Sequence, residues 1–175
     1  VDAALKSASH VTSLEIVNQR MVTNAIEPRS AIGDYDDARD YYTLYTSTQN
    51  PHVIRLLMCA FVLGLPEHKV RVIGPDVGGG FGSKIPHYIE EALMVWVSKQ
   101  INRPVKWTAE RTEGFTCDAQ GRDHKTKGQM GFDSDGKMVA LKVQTKANLG
   151  AYLSTLSTLI PTYLYGTLMQ GLYST

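Results

Sequence analysis

The sequence has few of the features that mark secreted, membrane or nucleic-acid-binding proteins. Its 175 residues include two cysteines, Cys59 and Cys117, which form neither a C-x-x-C pair nor a disulfide framework. The net charge of +1 gives no broad electrostatic surface for nucleic acid. The longest apolar run, Leu56 to Leu63, is too short to span a bilayer, and no N-x-[ST] sequon occurs. We therefore predict a cytoplasmic protein with no membrane span and no nucleic-acid partner.

The start of the chain lacks a targeting pattern. Val1-Asp2-Ala3 shows no basic region followed by an apolar one, and no initiator Met precedes it. We therefore expect either processing or a piece of a longer protein. The balance of 43% hydrophobic and 20% charged residues is nevertheless ordinary for a globular domain with a core.

Apolar periodicity predicts an α/β (α+β) fold on a mixed sheet. The predicted strands are Val11–Val17, Ser30–Asp34, Tyr41–Thr46, Lys69–Ile73 and Val105–Thr108, with a long hairpin of Lys125–Phe132 and Lys137–Ala147. A helix over Val53–Leu63, preceded by Asn50-Pro51 and stopped by Gly64, lies between two of these strands and gives a βαβ unit. Because this helix is nearly all apolar, we expect it to be buried on most sides.

Two further segments are predicted to be wholly or partly helical. Pro86 to Gln100 predicts a helix, because its apolar residues recur at helical spacing. Within it, Glu90 and Glu91 are expected on an exposed face. Tyr152 to Leu172 predicts a broken helix or a buried loop, because Pro161 interrupts an apolar run.

The most informative segment is the glycine loop, residues 76–84, which lies between a predicted strand and the second predicted helix. It contains Gly78-Gly79-Gly80-Phe81-Gly82. Glycine has no Cβ and tolerates positive φ, so this backbone can press its N–H groups against an anion or a cofactor. The loop matches neither the P-loop nor the dinucleotide fingerprint. Phe81 is expected either to pack into a core or to form the wall of a pocket.

Other candidate residues carry weaker signals. Gln49 ends a strand directly before a helix start, where α/β folds place ligand contacts, although position alone favours a turn glutamine facing solvent. Cys59 lies in an apolar run and is expected to be a buried, inert thiol. The five histidines show no metal-ligand spacing.

The order of several segments resembles the molybdenum-binding (large) subunit of the xanthine oxidase family. The nearest branch of that family holds aerobic carbon monoxide dehydrogenases and aldehyde-oxidising enzymes. The matching segments are Glu27-Pro28-Arg29, Ser47–Pro51, Val72–Lys84, Arg103–Trp107, Gly121–His124 and Ala147–Tyr152. They occur in the expected order and cover nearly the whole chain. The resemblance implies that residues 1–175 are a single portion of the molybdopterin-binding domain, incomplete at both ends.

The resemblance implies a cofactor and roles for particular residues. The cofactor is molybdopterin cytosine dinucleotide with molybdenum, held by Gln49 and by Gly78, Gly79, Gly80, Phe81 and Gly82. The glutamine that matches Gln49 hydrogen-bonds an oxo ligand of the molybdenum, which makes Gln49 the catalytic candidate. Gln49 and Phe81 lie near the metal, and neither ligates it.

The resemblance also implies a reaction and partners. The reaction is oxidation of an aldehyde, a small heterocycle or carbon monoxide with water as the oxygen source. Electrons leave through iron–sulfur clusters and FAD on partner subunits, in a dimer of heterotrimers. The glutamate base, the arginine motif and the copper-carrying cysteine have no counterpart in these residues, so the chain alone is not expected to catalyse. Ile85 stands where purine-oxidising members carry a glutamate, which argues against a xanthine substrate.

Two alternatives remain open from the residues alone. The glycine loop could serve a nucleotide- or phosphate-binding module. The chain could also be a non-catalytic scaffold fragment.

Overall fold

The computed structural model describes residues 1–155 and 158–173. These residues form two compact units. One contains Val22–Gly121 together with residues 154 and 155, and the other contains Val1–Met21, Arg122–Leu153 and the described residues from 158 onward. The glycine loop and Gln49 both belong to the first of these units.

The unit that holds the glycine loop is built on a four-stranded mixed sheet. Its strands are β2 (Ser30–Asp36), β3 (Tyr41–Thr46), β4 (Val70–Ile73) and β5 (Val105–Thr108), in the order β4-β3-β2-β5. Strand β2 pairs antiparallel with both β3 and β5, whereas β3 and β4 pair in parallel. The predicted α+β class and mixed sheet are therefore confirmed.

The βαβ unit predicted around the first helix is also present. Helix α2 (Pro51–Leu57) continues as a π-helical turn over Met58–Leu63 and ends at Gly64, whose φ of 62° is left-handed. The chain then returns to β4, which runs beside β3 with Tyr45 opposite Ile73. Since parallel strands end at the same edge of a sheet, the residues that follow β3 and β4 emerge together.

The helix of this βαβ unit is buried on one side only. Ile54, Met58 and Cys59 are fully buried, but Phe61 is 80% exposed and Val62 is 53% exposed. The expectation of burial on most sides was wrong. A helix on one sheet contacts it along a single stripe, and apolar composition alone does not say how many sides are covered.

Helix α3 (Ile89–Ile101) packs against the sheet at very close range. A Cβ added to Gly33 on β2 would lie 2.3 Å from the main-chain carbonyl of Met94, so only glycine fits there. Helix α3 begins at Ile89 rather than at the predicted Pro86. The buried residues of this core are Ala31, Tyr42, Leu44, Ile54, Met58, Cys59, Val70, Met94 and Val95.

The other unit is a three-stranded antiparallel sheet in the order β1-β6-β7. Its elements are helix α1 (Asp2–Ser7) and strands β1 (His10–Asn18), β6 (His124–Phe132) and β7 (Met138–Ala147). Strands β6 and β7 form the predicted hairpin, with an irregularity between Gly131 and Phe132. Strand β1 pairs with β6 along its whole length.

The last described residues contain a π-helical turn, Ile160–Leu164, and a short helix α5, Tyr165–Leu168. The broken helix is confirmed there, whereas the buried-loop alternative is wrong because Tyr163 and Leu168 are exposed. Residues 156 and 157 of this predicted segment lie outside the described residues. The sequence analysis did not predict α1, or α4 (Arg111–Cys117) in the first unit. None of the helices in the described ranges has the length and apolar character needed to cross a membrane.

Candidate functional site

Gln49 and the glycine loop meet at the edge where β3 and β4 end. The main-chain N–H of Gln49 donates to the carbonyl of Lys84 at 3.0 Å. The N–H of Gly82 donates to Oε1 of Gln49 at 2.9 Å, across 33 residues of sequence. The structure therefore brings together the residues that the sequence analysis proposed as one site.

The side-chain amide of Gln49 has a defined orientation. Because Oε1 accepts a hydrogen bond from an N–H donor, Nε2 must face the other way. Gln49 is exposed, and its Nε2 donates to no residue that the structure describes. Two amide hydrogens are thus directed away from the loop and available to a ligand.

Gly80 is a position where a side chain would displace Gln49. A Cβ there would lie 2.3 Å from Oε1 of Gln49 and 2.4 Å from its Cδ. Positions 79 and 82 require glycine for a different reason, because their φ angles of 100° and 96° are strained for a residue with a side chain. The glycines therefore serve two different requirements, namely close approach of Gln49 and left-handed backbone.

The middle of the loop contains main-chain donors without an acceptor in the described ranges, at Gly79, which is half-buried, at Gly80, which is buried, and at Phe81, which is exposed. Gly78 donates its N–H to Glu27, and Ser83 donates to the carbonyl of Gly80 at 3.0 Å. Between them, the N–H groups of Gly79, Gly80 and Phe81 donate to no acceptor within residues 1–155 and 158–173. Successive free N–H groups in a glycine loop bind anions and other strong acceptors.

Phe81 lies on the surface of the loop. It has a φ of 51° and is 74% exposed. Its ring folds toward Gly79, where an added Cβ would lie 2.9 Å from Cε2 of Phe81. The prediction that Phe81 packs into a core is therefore wrong. An exposed ring beside free N–H donors remains able to contact a ligand.

The first turn of helix α3 is capped by one of its own side chains. Glu91 accepts the N–H of Tyr88 at 3.0 Å and so occupies the first turn of the helix. The same carboxylate accepts from Thr46 Oγ1 at 2.8 Å and contacts His87 Nδ1 at 2.8 Å. Glu91 is buried, which corrects the prediction of an exposed face.

Glu90 is also engaged, because it pairs with a buried arginine. Arg29 is 5% exposed, and it bonds Glu90 at 3.0 Å and Asp118 at 2.5 Å while its guanidinium lies 3.8 Å from the centre of the Tyr88 ring. Burial opposes the charge, but the two carboxylates outweigh it and raise the pKa of Arg29. Burial also raises the pKa of Tyr88 to about 12. This network fixes α3 beneath the loop.

Glu27 and Lys84 were not proposed as site residues from the sequence. Lys84 Nζ bonds Glu27 Oε2 at 2.7 Å, and the Lys84 side chain is 2% exposed. The same oxygen accepts the N–H of Gly78 at 2.8 Å. A lysine inside a glycine loop was the available signal, but its partner lies 57 residues away and could not be identified from the sequence.

The cysteines take no part in this site. Cys59 is buried, as predicted, and burial raises the pKa of its thiol. Cys117 is an exposed free cysteine. Within the described ranges, no three His, Cys, Asp or Glu side chains are grouped as a metal site.

Comparison with known proteins shows the family of this chain. The model of one family, described as the molybdopterin cofactor-binding domain, matches residues 1–175. The carbon monoxide dehydrogenase large chain of Hydrogenophaga pseudoflava is 32% identical over 86% of this chain and 19% of its own length. The nicotine 6-hydroxylase large subunit of Paenarthrobacter nicotinovorans is 33% identical over 87% of this chain and 18% of its own.

A solved structure shows the same fold. Quinoline 2-oxidoreductase from Pseudomonas putida 86 matches 98% of this chain and 22% of its own with a TM-score of 0.85 and 29% identity. The chain therefore spans about a fifth of the length of the relatives that it matches.

Proposed function

The chain belongs to the molybdopterin cofactor-binding domain family, and we propose that it is a segment of the large subunit of a molybdenum hydroxylase. The family match over residues 1–175 confirms the resemblance drawn from the sequence and supports treating the whole chain as one portion of that domain. The observation that carries the proposal is the contact between Gln49 and a glycine loop in which three successive N–H groups have no acceptor among the described residues.

The residues present fit a molybdopterin cofactor. Such a group is large, anionic and rich in acceptors, so it needs close backbone approach and several donors. Gly79, Gly80 and Phe81 offer main-chain N–H groups, Gln49 offers its side-chain N–H₂, and the exposed ring of Phe81 offers an apolar surface. We assign the cofactor to these residues together with Gly78 and Gly82, in its cytosine dinucleotide form. When bound, the cofactor supplies the redox centre of the reaction.

Gln49 and the loop N–H groups then have distinct roles. The amide nitrogen of Gln49 donates a hydrogen bond to the bound cofactor, while its oxygen stays bonded to Gly82. The hydrogen bond to Gly82 keeps the amide from rotating, so the donor is held in place before the cofactor arrives. The loop N–H groups hold the cofactor close to Gln49. None of these side chains ligates the metal.

The proposed substrate is an aldehyde, a small heterocycle or carbon monoxide, with water as the oxygen source. Ile85 directly follows the loop lysine, and its N–H donates to the carbonyl of Gly82. An apolar side chain there cannot hydrogen-bond the polar edge of a purine, which supports excluding xanthine.

The proposed assembly includes iron–sulfur and FAD-binding subunits in a dimer of heterotrimers. The names of the two relatives, large chain and large subunit, support a multi-subunit enzyme. We place the enzyme in the cytoplasm, which the two free cysteines support.

Cofactor analysis of the purified full-length protein tests the proposal. We expect close to one molybdenum per subunit by elemental analysis, a pterin after oxidation, and CMP released by acid hydrolysis. ATP, NAD or phosphate without molybdenum would instead assign the loop to a nucleotide- or phosphate-binding module. If the protein contains neither metal nor nucleotide, it is a non-catalytic scaffold.

A further inference from the structure

The two ends of the glycine loop are held by one carboxylate oxygen. Oε2 of Glu27 accepts the N–H of Gly78 at the start of the loop and bonds Nζ of Lys84 at its end. The main chain of Glu27 also donates to the carbonyl of Gly78 at 3.2 Å. A single side chain from a separate segment therefore closes the loop.

Lys84 extends this closure to Gln49. Its carbonyl accepts both Oγ1 of Thr48 at 3.1 Å and the main-chain N–H of Gln49 at 3.0 Å. Its ammonium is directed the other way, to Glu27, and has no other acceptor in the described part of the chain. Lys84 thus links the segment after β3, the loop and the segment before β2.

The closure is tight and largely shielded from water. The Lys84 side chain is 2% exposed and that of Glu27 is 32% exposed. A Cβ on Gly78 would lie 2.5 Å from Cβ of Glu27, so glycine at position 78 is what allows Glu27 to reach both partners. The pair resists separation because the buried Lys84 ammonium, left without Glu27, would be desolvated without compensation.

We propose that Glu27 and Lys84 are positioning residues for the cofactor site, acting through Gly78 and Gln49. The proposal rests on the function proposed above. The pair holds the loop in the form in which its free N–H groups and the Gln49 amide converge. Neither side chain needs to touch the cofactor to do so.

The test uses the full-length subunit with three variants: Glu27→Gln, Lys84→Met and the double variant. Glu27→Gln keeps an acceptor for Gly78 but removes the charge that Lys84 needs. Hydrogen exchange and molybdenum content are measured on each. We expect the hydrogen-bonded main-chain amides of Gly82 and Ser83 to exchange at least tenfold faster and molybdenum content to fall at least threefold. The double variant should lose no more than the single variants, because both changes remove the same interaction.

An exposed Glu–Lys pair provides the matched control. Glu15 and Lys127 pair at 3.2 Å with side chains 57% and 69% exposed. Glu15→Gln and Lys127→Met should leave both measurements unchanged. A purely structural role for the buried pair would accelerate exchange throughout β3 and α3, rather than in the loop alone.

The outcomes separate this inference from the proposed function. Wild-type protein without molybdenum overturns the function, while the exchange measurement still tests the closure. Wild-type protein with molybdenum, and variants with normal exchange and normal molybdenum, overturn the closure alone. If Lys84→Met does not fold, the double variant carries the test, because it leaves no unpaired charge. Failure of all three to fold assigns the pair to core stability and overturns the proposal.

Discussion

The amide of Gln49 occupies the space that a side chain on Gly80 would need. The added Cβ would lie 2.3 Å from Oε1 of Gln49, although the backbone of Gly80 itself does not require glycine. Gly80 and Gln49 are therefore mutually dependent. The absence of a side chain at one position allows the other to bond Gly82.

Gly80→Ala should displace Gln49 with little loss of stability. The obstructing atoms are the end of a flexible side chain, so the amide rotates away and one hydrogen bond is lost, at about 1 kcal/mol. We expect turnover of the full-length enzyme to fall about tenfold or more. In a Gln49→Ala background the same change should have no further effect on turnover or unfolding. Gly121→Ala, where a Cβ meets nothing within 4 Å, is the control. A full additional loss in the double variant would contradict the dependence.

Gln49→Ala should reduce turnover about 100-fold or more while the protein stays folded. The variant removes a donor held against the proposed cofactor, and preorganised donors contribute on that scale. Steady-state kinetics and denaturant unfolding measure the two effects. Gln100→Ala, at an exposed position near the end of α3, should behave as wild type in both. Normal turnover with Gln49→Ala would remove its assigned role.

Gly82→Ala should destabilise the protein through its backbone alone. A Cβ there meets nothing within 4 Å, but a φ of 96° is strained for any residue with a side chain. We expect a loss of about 1–3 kcal/mol in the free energy of unfolding. Gly128→Ala, also in open space but without a positive φ, should change it much less. Equal effects at the two positions would show that φ is not the cause.

Arg29→Met should be among the most destabilising single changes. It leaves Glu90 and Asp118 without their cation beneath the ring of Tyr88, and breaking such a buried network costs about 3–5 kcal/mol. The control is Arg39→Met, because Arg39 is 82% exposed and its 3.6 Å pair with Asp36 should contribute under about 1 kcal/mol. Chemical denaturation compares them, and similar losses would count against the network.

Tyr88 should make stability fall at alkaline pH. Its folded pKa of about 12 exceeds the ordinary value of 10, so its contribution is complete below pH 10 and is lost as pH rises toward 12. The stability advantage of wild type over Tyr88→Phe should therefore shrink by roughly 1 kcal/mol between pH 9 and pH 11. Unfolding measured at both values checks this. A constant difference would mean that the phenol is not protected from ionisation.

Local patterns predicted much of the fold correctly. The alternation in Tyr41–Thr46, the Asn50-Pro51 helix start and the Asp133–Gly136 turn each specify their structure within a few residues. The helix start near Pro86 was placed too early. The true boundary is set by the carboxylate of Glu91, which accepts the N–H of Tyr88, and apolar spacing alone does not locate that boundary.

The candidate site was predictable in part. Gln49 and the glycine loop were assigned to one site through the family resemblance, and the parallel pairing of β3 and β4 explains why they meet. The partners of Arg29 and Lys84 could not be identified, because ion pairs across 57 to 89 residues leave no local pattern. The exposure of Phe81 was equally hidden, because its left-handed φ follows from neighbouring glycines.

Because β3 and β4 pair in parallel, the length of the connection between them can vary, whereas the length of the segment directly after β3 cannot. The connection through α2 and its π-helical turn only has to return the chain to the same edge, so insertions or deletions there should be compatible with an intact site. The three residues from Ser47 to Gln49 have no such freedom, because Thr48 and Gln49 both bond the carbonyl of Lys84. Relatives should therefore differ in length across the crossover and agree in length immediately after β3.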